Sequence, residues 1–338
     1  MAGGEVGGAE AFFVRLAGSL GHAGVNQRIV IRRHNARAAA LREVGLDPVE
    51  LAFGGPLDRA TKRRLTAEIQ SFAPEIILSW MNRASRSCAR ARRGREVVQI
   101  GRLGGYYNLK YYRGCDHLIG NTPGIVDHLQ RNGWPAERAH FVPNFVDATT
   151  APPVEPSNLS TPSDASILLA LGRLHHNKAF DVAIRALVDL PDAVLWIAGK
   201  GPELNALRML ADQLGVAKRI RWLGWRDDVA ALFAAADVLV CPSRIEPLGN
   251  VIIEAWAHGC PVVATSSKGP TWLIENEVSG LITALEDAKA LAAAIGRVLG
   301  EAGLASQLAD AGHAAYQARF SEPAVVGHYI ELFETVVR

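Results

Sequence analysis

The chain alternates short apolar runs with amphipathic helical stretches, and it does so twice, on either side of one segment that follows neither pattern. That segment, DATTAPPVEPSNLSTPSDAS (147–166), is rich in proline, serine and threonine and carries no apolar period, so it is expected to be a linker. Before it, RIVIRR (28–33), PVELAF (48–53), EIILSW (75–80), EVVQIG (96–101) and HLIGN (117–121) read as strands, with helices such as AEAFFVRLAGSLGHAG between them. After it come SILLALG (166–172), AVLWIAG (193–199), RIRWLG (219–224), VLVCPS (238–243) and PVVAT (261–265). Runs this uniformly apolar belong to strands buried on both faces. A helix after each implies right-handed crossovers and parallel sheets, hence an α/β fold of two doubly wound halves. Ligands of such folds bind beyond the carboxyl ends of the strands, and here also in the cleft between halves. The closing stretch EPAVVGHYIELFETVV reads as an amphipathic helix. The expected division is 1–147 and 148–320, with 321–338 a helix returning to pack on the first half.

Composition narrows the partners. No apolar stretch approaches the ~20 residues of a membrane span, and no charged-then-apolar leader opens the chain, so a cytoplasmic protein is expected. Cys88, Cys115, Cys241 and Cys260 show no metal-ligand spacing and read as reduced, structural thiols. A net charge of +2 conceals an asymmetry. Through residue 146 there are 21 lysines and arginines against 12 carboxylates, and afterwards 15 against 22. A basic first half predicts an anionic partner. The chain opens MAGGEVGGAE, already in a glycine-rich loop leading to a helix. The central strand expected before that loop is therefore missing or a stub, and Met1 reads as a late-assigned start within a longer chain.

The segment EPLGNVIIEAWAHGCPVVAT (246–265) sets Glu246 and Glu254 eight residues apart between two strand-like runs. Pro247 and Gly249 end the loop, so a helix is expected to start near Gly249 or Asn250. Its free N–H groups and positive dipole end favour an anion such as a diphosphate. Arg173 and Lys178 follow the strand SILLALG and supply two cations. No Asp-x-Asp ends a strand and no His/Cys/Asp cluster has ligand spacing, so no metal is expected. GxGxxG is absent near the start, and GKGPEL (199–204) lacks its third glycine, which sets an oxidoreductase aside.

Taken in order, GGAE (7–10), GRLHHNKAFDVAIRAL (172–187), GKGPEL (199–204), RWLGW (221–225), AADVLVCPSRIEPLGNVIIEAWAHGCPVVA (235–264) and SGLI (279–282) resemble the family 4 retaining glycosyltransferases of GT-B fold. The likeness reaches the first half again at CDHLIGNTPGIVDHLQRNGWPAERAHFVPNFVD (115–147). SSKGPTWLIENEVSGLI, after PVVAT, is similar to bacterial enzymes that build lipopolysaccharide core or other envelope glycans. The resemblance implies metal-independent transfer of a sugar, with retained configuration and no cofactor, from a nucleoside diphosphate sugar to a saccharide or lipid-linked saccharide, with peripheral contact with the inner membrane. It implies phosphate contacts from Arg173 and Lys178, sugar hydroxyls on Glu246 and ribose hydroxyls on Glu254. Gly172, Leu248, Gly249, Asn250 and Val251 would line the donor, Gly7 and Gly8 would bring a second helix end to the diphosphate, and Trp225 falls near the base. UDP is favoured over GDP.

The pattern also departs from the family. Ala179 stands where a glycine is usual. EVVQIGRLGGYY offers Arg102, Gly104, Gly105 and Tyr106 but not the histidine that family members often place at that strand end. Arg102 and Tyr106 are candidates for the acceptor. Arg83, Arg86, Arg90 and Arg93 recur at helical spacing and predict one guanidinium face for an acceptor phosphate or an anionic lipid surface. Nucleic acid is not expected, because no aromatics interleave with these arginines. His117 reads as a satisfied core histidine, and His175 and His176 as exposed. The alternatives are a GT-B epimerase, a GT-B phosphorylase, for whose pyridoxal lysine nothing here is a marker, and a catalytically idle nucleotide-sugar binding protein.

Overall fold

In a computed structural model of the chain, residues 1–3, 8–55, 58–146 and 148–337 are described. The fold divides into two compact units, one formed by Met1–Asn144 with Glu322–Arg338, the other by Phe145–Ser321.

The first unit carries strands β1 (Val30–Arg32), β2 (Val49–Leu51), β3 (Ile76–Trp80), β4 (Val98–Leu103), β5 (His117–Gly120) and β6 (Ala139–Phe141). Its helices are α1 (Gly8–His22), α2 (Asn35–Glu43), α3 (Arg59–Phe72), α4 (Met81–Ala91) and α5 (Pro123–Arg131), joined late in the chain by α13 (Glu322–Val337). All pairings are parallel: β3-β4-β5-β6 form one sheet, and β1 and β2 form a separate pair. At the facing edges of β1 and β3 the backbone of Met1 and Ala2 joins the two. Arg32 N donates to Met1 O at 2.9 Å, and Ala2 N to Trp80 O at 3.5 Å. The same two strands border an apolar cavity of about 490 Å3, lined among others by Leu16, Leu20, Ile69, Phe72 and Ile77. Phe12 and Phe13 of α1 pack on Trp80, and α13 lies against α1.

The second unit carries β7 (Ser166–Leu171), β8 (Ala193–Ala198), β9 (Ile220–Gly224), β10 (Val238–Cys241), β11 (Val262–Thr265) and β12 (Leu281–Thr283). Between and after them run α6 (Phe180–Ala186), α7 (Leu204–Gln213), α8 (Val229–Ala235), α9 (Asn250–Ala257), α10 (Lys268–Leu273), α11 (Ala288–Gly300) and α12 (Leu304–Arg319). One fully parallel sheet in the order β12-β11-β10-β7-β8-β9 results. Its alternating side chains feed two cores. Leu168, Ala170, Leu195, Ile197 and Val240 face one, with α6 and α11, while Leu169, Leu171, Trp196, Leu239 and Cys241 face the other, with α9 and Phe320. Because both faces are covered, β7 and β8 read as unbroken apolar runs.

Two expectations need correction. The segment 147–166 is tied to the second unit wherever it is described, so it is no free connector. Val154 N donates to Ala231 O, the Trp196 indole to Thr161 Oγ1, and Arg221 to Leu159 O, while Val154, Leu159 and Ala165 pack on the core. The helix begun at Met81 ends at Ala91, so Arg93 does not extend its face.

Candidate functional site

The sheet order places the site. From β7 the chain steps outward through β8 and β9, then returns to lay β10 on the other flank of β7 and continues to β11 and β12. The loops leaving β7 and β10 therefore diverge, and that opening is where doubly wound sheets bind ligands. Arg173 and Lys178 lie in the first loop, and Ser243, Arg244 and Glu246 in the second.

The floor of the site is backbone. Gly172, Gly199 and Gly224 end or follow β7, β8 and β9, all at positive φ (142°, 152° and 66°). Gly172 N donates to Ala198 O at 3.0 Å, and Gly199 N to Gly224 O at 2.7 Å. A Cβ on Gly199 would stand 1.8 Å from Gly172 O, so only glycine allows these strand ends to close on one another.

Above this floor, Lys178 runs back over Gly172 and its Nζ ion-pairs with Glu246 Oε2. Ser243 Oγ lies 3.4 Å from the same carboxylate oxygen. Glu246 is buried and Lys178 half-buried. Removing either partner would strand the other's charge, at a cost on the order of 3 kcal/mol for a buried ion. The Glu246 loop is braced from below, with Gly269 N donating to Glu246 O at 2.7 Å.

Ala179 adopts the left-handed conformation, φ 51°, at the end of the short 3-10 turn His176–Lys178. That geometry is what a glycine supplies freely, so the departure at Ala179 preserves the turn with a strained residue. Gly249 (φ 95°) is the cap of α9, which starts at Asn250, so the first amides of the helix are left without intrahelical acceptors. Leu248 is buried beneath it, Asn250 is exposed, and Val251 and Glu254 are half-buried on the first turns. Trp225, just past β9, is 69% exposed and donates its indole N–H to Asp227 Oδ1 at 2.8 Å. Arg173, His175 and His176 are exposed.

In the first unit the candidates fare differently. Gly7 lies outside the described residues, and Gly8 opens α1. Arg102 is corrected: it is buried at 3% exposure, donates through Nε to Tyr329 Oη at 2.9 Å and through Nη2 to Asn144 Oδ1, and stacks on Phe12 and Trp80. It is a core brace and presents no cation to an acceptor. Tyr106 is half exposed, edge-on to His128. The helical arginines are all exposed but do not act as one fork array, since Arg83 donates to Phe53 O at 2.9 Å and Arg86 lies over Tyr111. A basic surface that sequence spacing missed is on α3, where Arg59, Lys62 and Arg63 are exposed, and Arg33, Arg63 and Arg64 line a surface pocket of about 370 Å3. His117 shares a 3.0 Å hydrogen bond with His140, and burial pushes His140 down to about 4. All four cysteines are buried and free, their thiols pushed up by burial, Cys241 to about 11 and Cys260 to about 12. Among the described residues, no helix is long and apolar enough to cross a membrane.

Comparison with known proteins shows the family to which the chain belongs. Residues 165–301 match the family described as glycosyl transferases group 1, and residues 6–150 the one described as Glycosyltransferase Family 4. Two Rhizobium meliloti proteins named lipopolysaccharide core biosynthesis glycosyltransferases, LpsE and LpsD, are each 36% identical to the chain. The first alignment covers 97% of this chain and 96% of LpsE, the second 98% and 96% of LpsD. The crystal structure of Anabaena HepE in complex with UDP superposes with a TM-score of 0.85 at 20% identity, over 99% of this chain and 98% of HepE, a likeness of fold.

Proposed function

Because the chain belongs to the group 1, family 4 glycosyltransferases and is an enzyme of the lipopolysaccharide core biosynthesis type, we propose that its donor is a nucleoside diphosphate sugar. We propose further that transfer retains the anomeric configuration and needs no metal ion. The observation that carries this reading is the meeting of Lys178 and Glu246 where the β7 and β10 loops diverge.

In the proposed reaction the bond between the anomeric carbon and the phosphate oxygen breaks, and its electron pair leaves with the diphosphate. The acceptor oxygen bonds to that carbon from the same face, and its proton passes to the departing phosphate oxygen. Negative charge grows on the leaving group while the sugar becomes cation-like. Lys178, the exposed guanidinium of Arg173 and the amides opening α9 supply fixed positive charge for the leaving group, the role a metal plays elsewhere. Glu246, held by Lys178 and Ser243, orients the sugar hydroxyls without attacking the sugar. Glu254 takes the ribose hydroxyls, and Trp225 offers a face to the base. Uracil is the proposed base, since HepE was crystallised with UDP. The acceptor is a saccharide carrying anionic groups, for which the exposed Arg59, Lys62 and Arg63 of α3 and the neighbouring pocket offer a cationic surface. We place the reaction at the cytoplasmic face of the membrane.

Nucleotide titration with thermal unfolding tests the donor. UDP at 100 times its dissociation constant should add about 2.7 kcal/mol of stability, GDP much less, and the transfer product should show the donor's anomeric configuration by proton NMR. Absence of stabilisation by either nucleoside diphosphate, or an inverted product, overturns the reading.

A further inference from the structure

Arg244 lies two residues before Glu246, yet its side chain turns away from that carboxylate. Nη1 donates to His176 O at 2.9 Å and to Asp181 Oδ1 at 2.8 Å. Nη2 donates to Asp181 Oδ2 at 2.7 Å and to Glu286 Oε2 at 2.8 Å, and Nε donates to Glu286 Oε1. Every N–H of the guanidinium is therefore engaged, in two carboxylate forks and one carbonyl bond. None is left for a phosphate, which separates Arg244 from Arg173 and Lys178. Its partners come from the loop after β7, the first turn of α6 and the loop between β12 and α11.

The local backbone shows how tightly these loops are held. Glu286 sits at φ 61° and Ala179, two residues before Asp181, at φ 51°, both in the left-handed region that side chains with a Cβ rarely adopt. Such conformations persist only where the surroundings over-determine them. Burial alone would raise the Asp181 carboxyl, but the Arg244 hydrogen bonds and charge outweigh it and hold the group below its ordinary range. Beside this cluster Ile245 N donates to Asn177 O at 3.2 Å, and the next residues along each loop are Glu246 and Lys178, the ion pair itself.

We propose that Arg244 is a positioning residue that clamps the Lys178 loop to the Glu246 loop, with Glu286 as the outer anchor, so that the donor site is assembled before donor arrives. The inference rests on the reading of Lys178 and Glu246 as donor-site residues. A planar fork is essential to it, because a lysine keeps the charge but cannot hold two carboxylates in bidentate geometry.

The test is UDP affinity by calorimetry on the full chain, in a cycle of Arg244→Lys and Lys178→Ala. Arg244→Lys should weaken UDP about tenfold in the parent and less than twofold once Lys178 is gone, because the clamp acts through that lysine. A residue that merely stabilises the fold would change affinity by the same factor in both backgrounds, and that result overturns the proposal. Glu286→Gln, on a side chain more than half exposed, should weaken UDP in the same direction and stands in if Arg244→Lys does not fold. Should Lys178→Ala bind UDP and transfer sugar as the parent does, the reading of the site is at fault. Should Lys178→Ala fail while Arg244→Lys and Glu286→Gln bind UDP as the parent does, the clamp alone is wrong.

Discussion

Lys178→Ala is expected to lower kcat/KM for sugar transfer about a thousandfold, roughly 4 kcal/mol at the transition state, the scale found when one preorganised charge partner of a developing anion is deleted. The loss should fall mainly on kcat, because the diphosphate carries most of its extra charge only as the sugar departs. A second consequence follows from the ground state. Glu246 is 8% exposed and loses its cation, so the variant should also unfold at lower temperature. Lys178→Arg preserves the charge and should recover stability more fully than rate, since the bulkier fork must fit over Gly172. Steady-state kinetics with the donor titrated, beside thermal unfolding, separates the two effects. A kcat/KM within about threefold of the parent would remove Lys178 from the chemistry.

Gly199→Ala should be the most damaging small substitution under the site. Its φ of 152° is closed to a residue with a Cβ, and that carbon would sit 1.8 Å from the Gly172 carbonyl oxygen, backbone that cannot swing aside. Strain and overpacking together predict a loss of about 3 kcal/mol or more. Gly215→Ala isolates the conformational part. That glycine also has positive φ, 71°, but open space around it, and its substitution should cost only about 1 kcal/mol. Chemical denaturation of both variants measures the difference. Equal losses would mean that the strand ends part readily, contrary to their hydrogen bonding.

What the sequence disclosed follows the burial pattern. β7, β8, β10 and β11 were legible because strands covered on both faces read as continuous apolar runs. β6 and β12, each three residues at a sheet edge, were missed as strands, whereas β1 and β2, equally short, stand within the longer runs RIVIRR and PVELAF. Lys178 and Glu246 could be named because each follows a recognisable strand at the spacing of the family that the chain resembles. The clamp could not, since Arg244 meets Asp181 and Glu286 across 63 and 42 residues of chain and no spacing rule links them. Arg102 misled for the same reason: its position after an apolar run suggested a free cation, while its partner Tyr329 lies 227 residues away.

The apolar hollow bordered by β1 and β3 carries a further consequence. Compression favours whichever state occupies less volume, and an unfolded chain admits water into space that a packed one leaves unfilled. Hydrostatic pressure should therefore weaken the unit that contains this hollow, whereas heat weakens both units through the chain entropy gained on unfolding. Trp80, 2% exposed on its wall, is placed to signal the entry of solvent.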